Sequence, residues 1–348
     1  MAALVGLALL TLVVAWVGYG SVLAAIRAVG LPGFAIFTLY WPLVLVVLGL
    51  AWFAVAPGQP LARAPIFVWG RLLREAASDI LPVAQVSGLV VGARAARAEG
   101  VPEDVVFAST IADMTTELAA QILYTLLGVA LLVIHLSGGL EHTHLLWPVV
   151  AALAFLLVAG AALFLLQRRG VVWLGWLAQR WLPDSVARAD AVGVALDAVY
   201  RQPGRIAAGV ALHLLGWLAS GVGSWIALQL MGTDTPLWAV LAVESLMYAA
   251  RSVAFALPGG LGVQEGAYVL LAPLFGLHAG DVLALSLLKR ARDLVIAIPT
   301  LLIWQAREGR ALLGAAAQPA VALEQQQAHS DHDGHGAGAD ARHDQHWR

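Results

Sequence analysis

The sequence predicts an all-α integral membrane protein with about six full transmembrane helices and two interrupted or re-entrant helical elements, arranged as a candidate inverted repeat. Three observations support this fold class. Of the 348 residues, 60% are hydrophobic and only 12% are charged, whereas ordinary soluble domains contain about 25% charged residues. Six apolar runs have about the 20-residue length that a membrane-spanning helix needs. Two further apolar segments are each broken by a proline, with glycines and charges nearby.

The six full spans are predicted from apolar runs distributed along the whole chain. They lie near residues 2–19, 34–56, 105–136, 146–167, 207–231 and 281–304. The first run has no Lys or Arg before it and no clear small-residue cleavage site. We therefore interpret it as an uncleaved span and not as a signal peptide.

The two interrupted segments lie near residues 64–95 and 237–275. Non-helical backbone at membrane depth is tolerated only where protein or a water-filled cavity covers its polar groups. Pro82 and Gly100 recur as Pro258 and Gly276, in both cases 176 residues later (258 minus 82 and 276 minus 100). Three predicted spans separate the segments, so re-entrant copies would enter the membrane from opposite faces. Inverted repeats with discontinuous helices are typical of secondary transporters.

The distribution of arginines orients the spans. The connection at 168–206 holds six arginines, whereas the connection at 137–145 contains neither Lys nor Arg. Because cytoplasmic loops carry an excess of Lys and Arg, the first connection is predicted to be cytoplasmic. With re-entrant segments both termini are also cytoplasmic. If each segment crossed once, Arg63, Arg307 and Arg310 would lie outside, so we favour the re-entrant arrangement, in a bacterial inner membrane.

The connection at 168–206 combines its arginines with three tryptophans. This pattern is typical of an amphipathic helix on the inner leaflet; the alternative is an ordinary solvated connector. The predicted domains are a polytopic membrane domain at 1–310 and a disordered, His-rich cytoplasmic tail at 311–348. The histidines of the tail are potential ligands of a transition metal, but its low-complexity composition favours a disordered polar segment.

Charged residues within the predicted membrane segments are the main candidates for function, because ionisable groups in a bilayer are costly to retain. The stretch "GRLLREAASDILP" places Arg71, Glu75 and Asp79 at successive i,i+4 positions on one helix face, with Arg74 beside them. Three other pairs are spaced to share a helix face: Asp113 with Glu117, Glu244 with Arg251, and Lys289 with Asp293. Such charges either neutralise one another inside the bundle or snorkel to the interface, and for Arg71 and Asp113 the sequence leaves both readings open.

The stretch "ALPGGLGVQEGAY" places a helix breaker, flexible glycines and a carboxylate at membrane depth. An unwound backbone there leaves N–H and C=O groups free to meet a polar ligand. The predicted substrate pathway joins this stretch to the charged positions, and consists of Arg74, Glu75, Asp79, Pro82, Asp113, Glu117, Glu244, Arg251, Pro258, Gly260, Gly262, Glu265, Lys289 and Asp293.

The sequence contains no motif of a familiar enzyme class: no nucleophile elbow, no phosphate-binding loop and no zinc-protease motif. It contains no cysteine, so disulfide, thiol and thiolate-metal chemistry are not expected. We predict no catalytic residue, metal or cofactor. His213 stands alone among apolar residues and is predicted to donate in helix packing. Gly216, Ser220 and Ser224 form a small-residue face on the same helix.

Three stretches resemble the flippase-like membrane region of the lysylphosphatidylglycerol synthase superfamily, over nearly the whole chain except the tail. They are "REAASDILPVAQVSGLVVGARAARAEG", "LPGGLGVQEGAY" and "GDVLALSLLKRARDL". The resemblance implies a lipid-translocating core that includes Glu75, Pro82, Pro258, Gly260, Gly262 and Glu265. Val-Ala follows Pro82 where glycine is usual, and no soluble aminoacyltransferase domain follows in this sequence, so aminoacylation of a lipid is not implied. Stand-alone members of this size resemble the hopanoid-associated branch.

Two functions of different classes are predicted. The first is an inner-membrane lipid transporter of the flippase type, with a membrane lipid as substrate and hopanoids as one candidate class. The second is a non-transporting scaffold or accessory subunit that holds lipid (hopanoid) biosynthesis enzymes at the inner face through the connection at 168–206. An ion-coupled carrier of small solutes is a third and more distant candidate. No enzymatic activity and no nucleic-acid partner are expected.

Overall fold

The computed structural model describes residues 19–81, 84–136, 184–253 and 262–340. All regular structure in these ranges is helical, which confirms the predicted all-α class. The α-helices are α1 (Tyr19–Ala54), α2 (Ala64–Ile80), α3 (Ala84–Ala98), α4 (Glu103–Leu136), α5 (Asp184–Tyr200), α6 (Pro203–Leu230), α7 (Leu237–Val253), α8 (Val263–Leu271) and α9 (Ala279–Asp340). Short 3₁₀ turns at Leu61–Arg63 and Ala272–Phe275 precede α2 and follow α8.

Three described helices are long and apolar enough to cross a membrane: Arg27–Ala54 within α1, Glu103–His135 within α4, and all of α6. They confirm the predicted spans at 34–56, 105–136 and 207–231, and the chain is a multi-pass membrane protein. The predicted spans at 2–19 and 146–167 lie outside the described residues. The predicted span at 281–304 is helical within α9 but carries four charges between Lys289 and Asp293.

Helix α1 is kinked where Gly30 adopts φ 60° and ψ −178°, a backbone conformation that glycine reaches without steric cost. Beyond the kink, α1 packs against α6 and α2, and α4 packs against α6, α7 and α5. The predicted small-residue face of α6 is confirmed, since Gly216, Ser220 and Ser224 are all buried. A Cβ on Gly216 would come within 2.5 Å of Leu48 on α1, so only glycine permits this close approach.

The two interrupted segments share one local design. Each consists of a helix, a break, a shorter helix and then a long helix: α2, α3 and α4 in the first, and α7, α8 and α9 in the second. The shorter element ends in both cases at a glycine with positive φ, namely Gly100 (φ 80°) and Gly276 (φ 75°). The breaks themselves, with Pro82, Pro258 and Gly260, lie outside the described residues.

The helix ends at these two glycines also have the same hydrogen bonds. The amide of Val101 donates to the carbonyl of Ala96 at 3.2 Å, and the amide of Leu277 donates to Ala272 at 3.0 Å. These are the six-residue closures of a Schellman motif. Both pairs are displaced by 176 residues, so the sequence periodicity corresponds to a repeated backbone geometry.

Helix α5 occupies the second half of the connection that was predicted to lie on the inner leaflet. Its residues Ala195, Leu196 and Val199 are buried in a core cluster with residues of α4, and the hydroxyls of Tyr200 and Thr115 lie 3.2 Å apart. This half is therefore part of the bundle and not a surface helix, because its apolar side chains face α4. The tryptophans of the connection lie outside the described residues.

The chain divides into two compact units, residues up to Ile298 and residues from Pro299 onward. The predicted domain boundary at residue 310 lies within α9, which continues to Asp340. The sequence predicts disorder beyond residue 310, whereas the structure continues the helix. Ala, Leu, Glu and Gln, which are strong helix formers, dominate residues 311–328 and account for this difference.

Candidate functional site

Two networks of buried charges occupy the interior of the first unit. The first network comprises Arg71, Arg74 and Glu75 on α2, Asp113 and Glu117 on α4, and His213 on α6. The second network comprises Glu244 and Arg251 on α7, Gln264, Glu265 and Tyr268 at the start of α8, and Ser286, Lys289 and Arg290 on α9. Each network lies within one interrupted segment, apart from His213.

The first network is built from two guanidinium groups that face two carboxylates. Arg74 donates to Asp113 at 2.7 Å through one nitrogen and to Glu117 at 2.8 Å through the other. Arg71 contacts Glu117 at 2.7 Å and Glu75 at 2.7 Å. The spacing explains the geometry, because residues three or four apart lie on one helix face. The predicted pairing of Arg71 with Glu75 on one face is confirmed.

Burial decides between the two readings of these charges. The side chain of Asp113 is fully buried and that of Arg71 is 3% exposed. Neither group snorkels to an interface, so the charges neutralise one another inside the bundle. Bidentate arginine–carboxylate contacts of this kind are the strongest charge-assisted hydrogen bonds in proteins.

His213 joins the first network from α6. Its Nε2 lies 2.9 Å from the second carboxylate oxygen of Asp113, and the imidazole is fully buried. The predicted packing role is therefore met by a specific acceptor 100 residues away. The sequence contained no signal for this partner, because Asp113 and His213 belong to different helices.

The donor atoms of Asp113, Glu117 and His213 lie within 4.8 Å of one another, a grouping that would suit a metal ion. Both carboxylates, however, already accept hydrogen bonds from Arg71 and Arg74. A metal cation would have to displace two guanidinium groups from them. We therefore assign these three side chains to the ion-pair network.

The second network centres on Lys289. Its ammonium group lies 2.7 Å from both carboxylate oxygens of Glu244 and 2.7 Å from the hydroxyl of Tyr268. The spacing of Lys289 and Asp293 predicted a contact within α9, and this is corrected here: Asp293 accepts from its neighbour Arg292 at 2.7 Å. Glu244 is completely buried, so it requires a counter-charge, which Lys289 supplies across the helix interface.

Glu265, the carboxylate beside the glycine-rich break, is fully buried and has three donors. One oxygen accepts from the amide of Gly262 at 2.8 Å and thereby caps α8. The other oxygen accepts from Ser286 at 2.8 Å and from Arg290 at 2.7 Å. Arg290 was not among the predicted pathway residues, although it is adjacent to Lys289. One residue turns a side chain by about 100° around a helix, which directs the two cations to different carboxylates.

A chain of hydrogen bonds connects the helices on either side of the second break. Arg251 near the end of α7 donates to Gln264 at 3.3 Å, and Gln264 donates to Ser286 on α9 at 2.8 Å. Glu244 and Arg251 share a helix face but do not pair with each other, because Glu244 is held by Lys289. Sequence reasoning missed Ser286, since a single serine in an apolar helix carries no distinctive pattern.

A small cavity between α1, α2 and α9 brings the remaining predicted carboxylates together. Glu75, Asp79 and Asp293 line it together with the ring of Trp41. Asp79 also interacts electrostatically with Arg251 of the second network, while Glu75 contacts the first network. The predicted residues that the structure describes therefore form one continuous polar interior.

The family model described as "Lysylphosphatidylglycerol synthase TM region" matches residues 3–300, and the chain belongs to this family. The match covers the three membrane-spanning helices and both charged networks, and it indicates a membrane protein of lipid metabolism or transport. No curated protein and no solved structure matches the chain.

Proposed function

We propose that this member of the lysylphosphatidylglycerol synthase TM region family moves an amphiphilic lipid between leaflets and has no enzymatic activity. The observation that carries the proposal is the pair of buried charge networks at two interrupted helical segments. The headgroup would pass the charged side chains while the hydrocarbon tails remain in the bilayer. Hopanoids are one candidate class of substrate.

The cost of the networks favours transport over a purely structural role. Buried ion pairs contribute little net stability, because desolvation offsets their mutual attraction. Charged residues in membrane segments mark ion or substrate pathways more often than packing sites. A chain that needed only to hold its helices together would be served by apolar contacts and small residues, as on α6.

The surroundings of the small polar cavity fit an amphiphile. An apolar groove of about 410 Å³ runs between α1 and α2, lined by residues that include Val46, Leu50, Val68 and Trp69. Leu72 lines both this groove and the polar cavity. A lipid chain in the groove would thus have its headgroup beside the carboxylates.

The polar cavity is nearly closed in this conformation. Its volume is about 10 Å³, and one water molecule takes up about 30 Å³ in liquid water. Passage of a headgroup therefore requires α2 and α9 to separate. The breaks at 82–83 and 254–261 are the natural hinges, because each joins two helices by a short non-helical connection.

The proposed arrangement places the protein in a bacterial inner membrane with both termini in the cytoplasm. The two interrupted segments are inverted copies that enter from opposite faces, so each network serves one side of the membrane. This alternating-access geometry is common among transporters with inverted repeats.

Reconstitution tests the proposal directly. The purified protein in liposomes should raise the inter-leaflet exchange of at least one lipid from a panel that includes hopanoids and anionic phospholipids. Glu265→Gln should abolish this exchange with near-normal expression, because the amide can still accept from Gly262 but loses the ion pair with Arg290. The matched control is Glu103→Gln, which changes a half-exposed pair with Arg97 and should leave exchange unchanged.

Two results would count against transport. If no lipid in the panel exchanges faster than in protein-free liposomes, the scaffold function becomes the better explanation. It then predicts that replacement of the arginines at 168–206 releases a lipid-synthesising enzyme from membranes. Full exchange by Glu265→Gln would instead assign the carboxylate to the capping of α8 alone.

A further inference from the structure

His213 carries a buried polar atom that the charge network does not explain. Its Nδ1 is buried and has no hydrogen-bond partner among the described residues, and the same holds for Nε of Arg71. A buried polar atom without a partner costs about 1–3 kcal/mol. Arginine remains charged under all physiological conditions, so only the imidazole of the two can gain or lose a proton.

The charges around His213 do not balance while it is neutral. The two guanidinium groups of the first network face three carboxylates, those of Glu75, Asp113 and Glu117. One negative charge is left over, and a proton on His213 would cancel it. Ionised Asp113 can only accept hydrogen bonds, so Nε2 of His213 bears a hydrogen and Nδ1 carries the free lone pair.

The other helices that pack on α6 add no ionised group at His213 within the described ranges. Tyr40 on α1 donates to the carbonyl of Ala219, and the Tyr248 hydroxyl on α7 contacts Ser220. On α5, Tyr200 contacts Thr115 of α4. On α6 itself, Arg205 donates to backbone carbonyls of the α1 end, at Ala54 and Ala56. The α2 and α4 groups therefore determine the charge at the imidazole.

We propose that His213, held by Asp113, is a proton-binding site that couples lipid movement to a proton gradient. A proton adds to Nδ1, and the imidazolium then attracts Asp113 more strongly through Nε2. Asp113 is shared with Arg74, so protonation weakens the hold of Asp113 on that guanidinium. Arg74 becomes available to an anionic oxygen of a headgroup, and release of the headgroup favours release of the proton. Such coupling between two ligands is reciprocal.

This inference rests on the proposed transport function, and one assay separates the two. The protein is reconstituted into vesicles of zwitterionic phospholipid with a fluorescent short-chain anionic phospholipid, with and without an imposed pH gradient. We expect the wild type to accumulate the labelled lipid in one leaflet under the gradient. If one proton moves with each lipid, the limit is about tenfold for each pH unit.

His213→Gln is the informative variant, because glutamine keeps an N–H donor for Asp113 but takes up no proton. It should exchange lipid without a gradient and lose the accumulation. His278→Gln, a change at an exposed histidine, is the matched control and should behave as wild type. If His213→Gln does not fold, Asp113→Asn serves in its place, since it removes the charge that holds the imidazolium.

The outcomes are distinct. Wild-type exchange that ignores the gradient would overturn proton coupling and leave transport intact. Absence of any exchange would overturn the transport function, and the proton site is then judged by ¹⁵N spectra of histidine-labelled protein. The signal that is missing from His213→Gln should change from neutral imidazole to imidazolium on acidification. A signal that stays neutral throughout would overturn the proposal.

Discussion

The two interrupted segments share a backbone design and differ in the placement of their charges. In the first segment the cations lie on the first helix, as Arg71 and Arg74, and the carboxylates on the long third helix. In the second segment the fully buried carboxylate Glu244 lies on the first helix and Lys289 on the third. Asp113 and Lys289 are 176 residues apart, so equivalent positions carry opposite charge.

This difference teaches that backbone geometry and charge are specified separately. The helix ends at Gly100 and Gly276 are set by residues that adopt positive φ, and they are the same in both segments. The charge pairs need only be complementary within each segment. A headgroup that moved from one segment to the other would therefore meet the charges in reversed order.

The largest expected difference between the segments is their orientation. Pro102 and His278 are equivalent by the 176-residue displacement, and both are exposed. In this cysteine-free chain, a single cysteine at position 278 should react with an impermeant reagent from outside. A cysteine at position 102 should react only after permeabilisation.

Two reference positions calibrate this labelling. A cysteine in place of Thr233 should react from outside, and one in place of Gln318 only after permeabilisation. Labelling of positions 102 and 278 from the same side would rule out inverted copies, and labelling of Gln318→Cys in intact cells would rule out a re-entrant second segment.

The next largest difference concerns the number of partners of each buried carboxylate. Lys289→Met leaves Glu244 in the core with only the hydroxyl of Tyr268, and should destabilise the protein by about 3–5 kcal/mol. Arg74→Met should cost less, about 1–3 kcal/mol, because Asp113 keeps His213 and Arg71. Thermal unfolding of both variants in the same detergent measures the difference.

The exchanged pair provides the control for this prediction. A double variant with Glu244→Lys and Lys289→Glu should recover part of the stability that Lys289→Met loses, since the charges remain complementary. Equal losses in Lys289→Met and Arg74→Met would mean that the additional partners of Asp113 contribute nothing.

The smallest expected effect tests the shared backbone. Gly100→Ala and Gly276→Ala each place a side chain at positive φ, at a cost of about 1 kcal/mol. An added Cβ would contact nothing within 4 Å at either site, so only backbone strain contributes. The two losses, measured by thermal unfolding, should be equal within error; a much larger loss at one glycine would show that the two helix ends are not equivalent.

Much of the fold could be predicted from the sequence. Apolar length gave the spans of α1, α4 and α6, because a bilayer imposes a minimum length on any crossing helix. Proline, glycine and the 176-residue displacement located the interrupted segments. The interfacial assignment of the connection at 168–206 was wrong for α5, because composition does not reveal that Leu196 and Val199 face a neighbouring helix.

The sequence by itself determined which residue types reach the interior of the membrane: its charges stand in apolar segments, where only function or pairing can retain them. Only the tertiary structure decided the partners. Lys289 binds Glu244 and not Asp293, Glu265 binds Arg290, and His213 meets Asp113. The physical reason is distance: spacing along one helix fixes which side chains share a face, but a buried charge pairs with whichever opposite charge packing brings within about 3 Å.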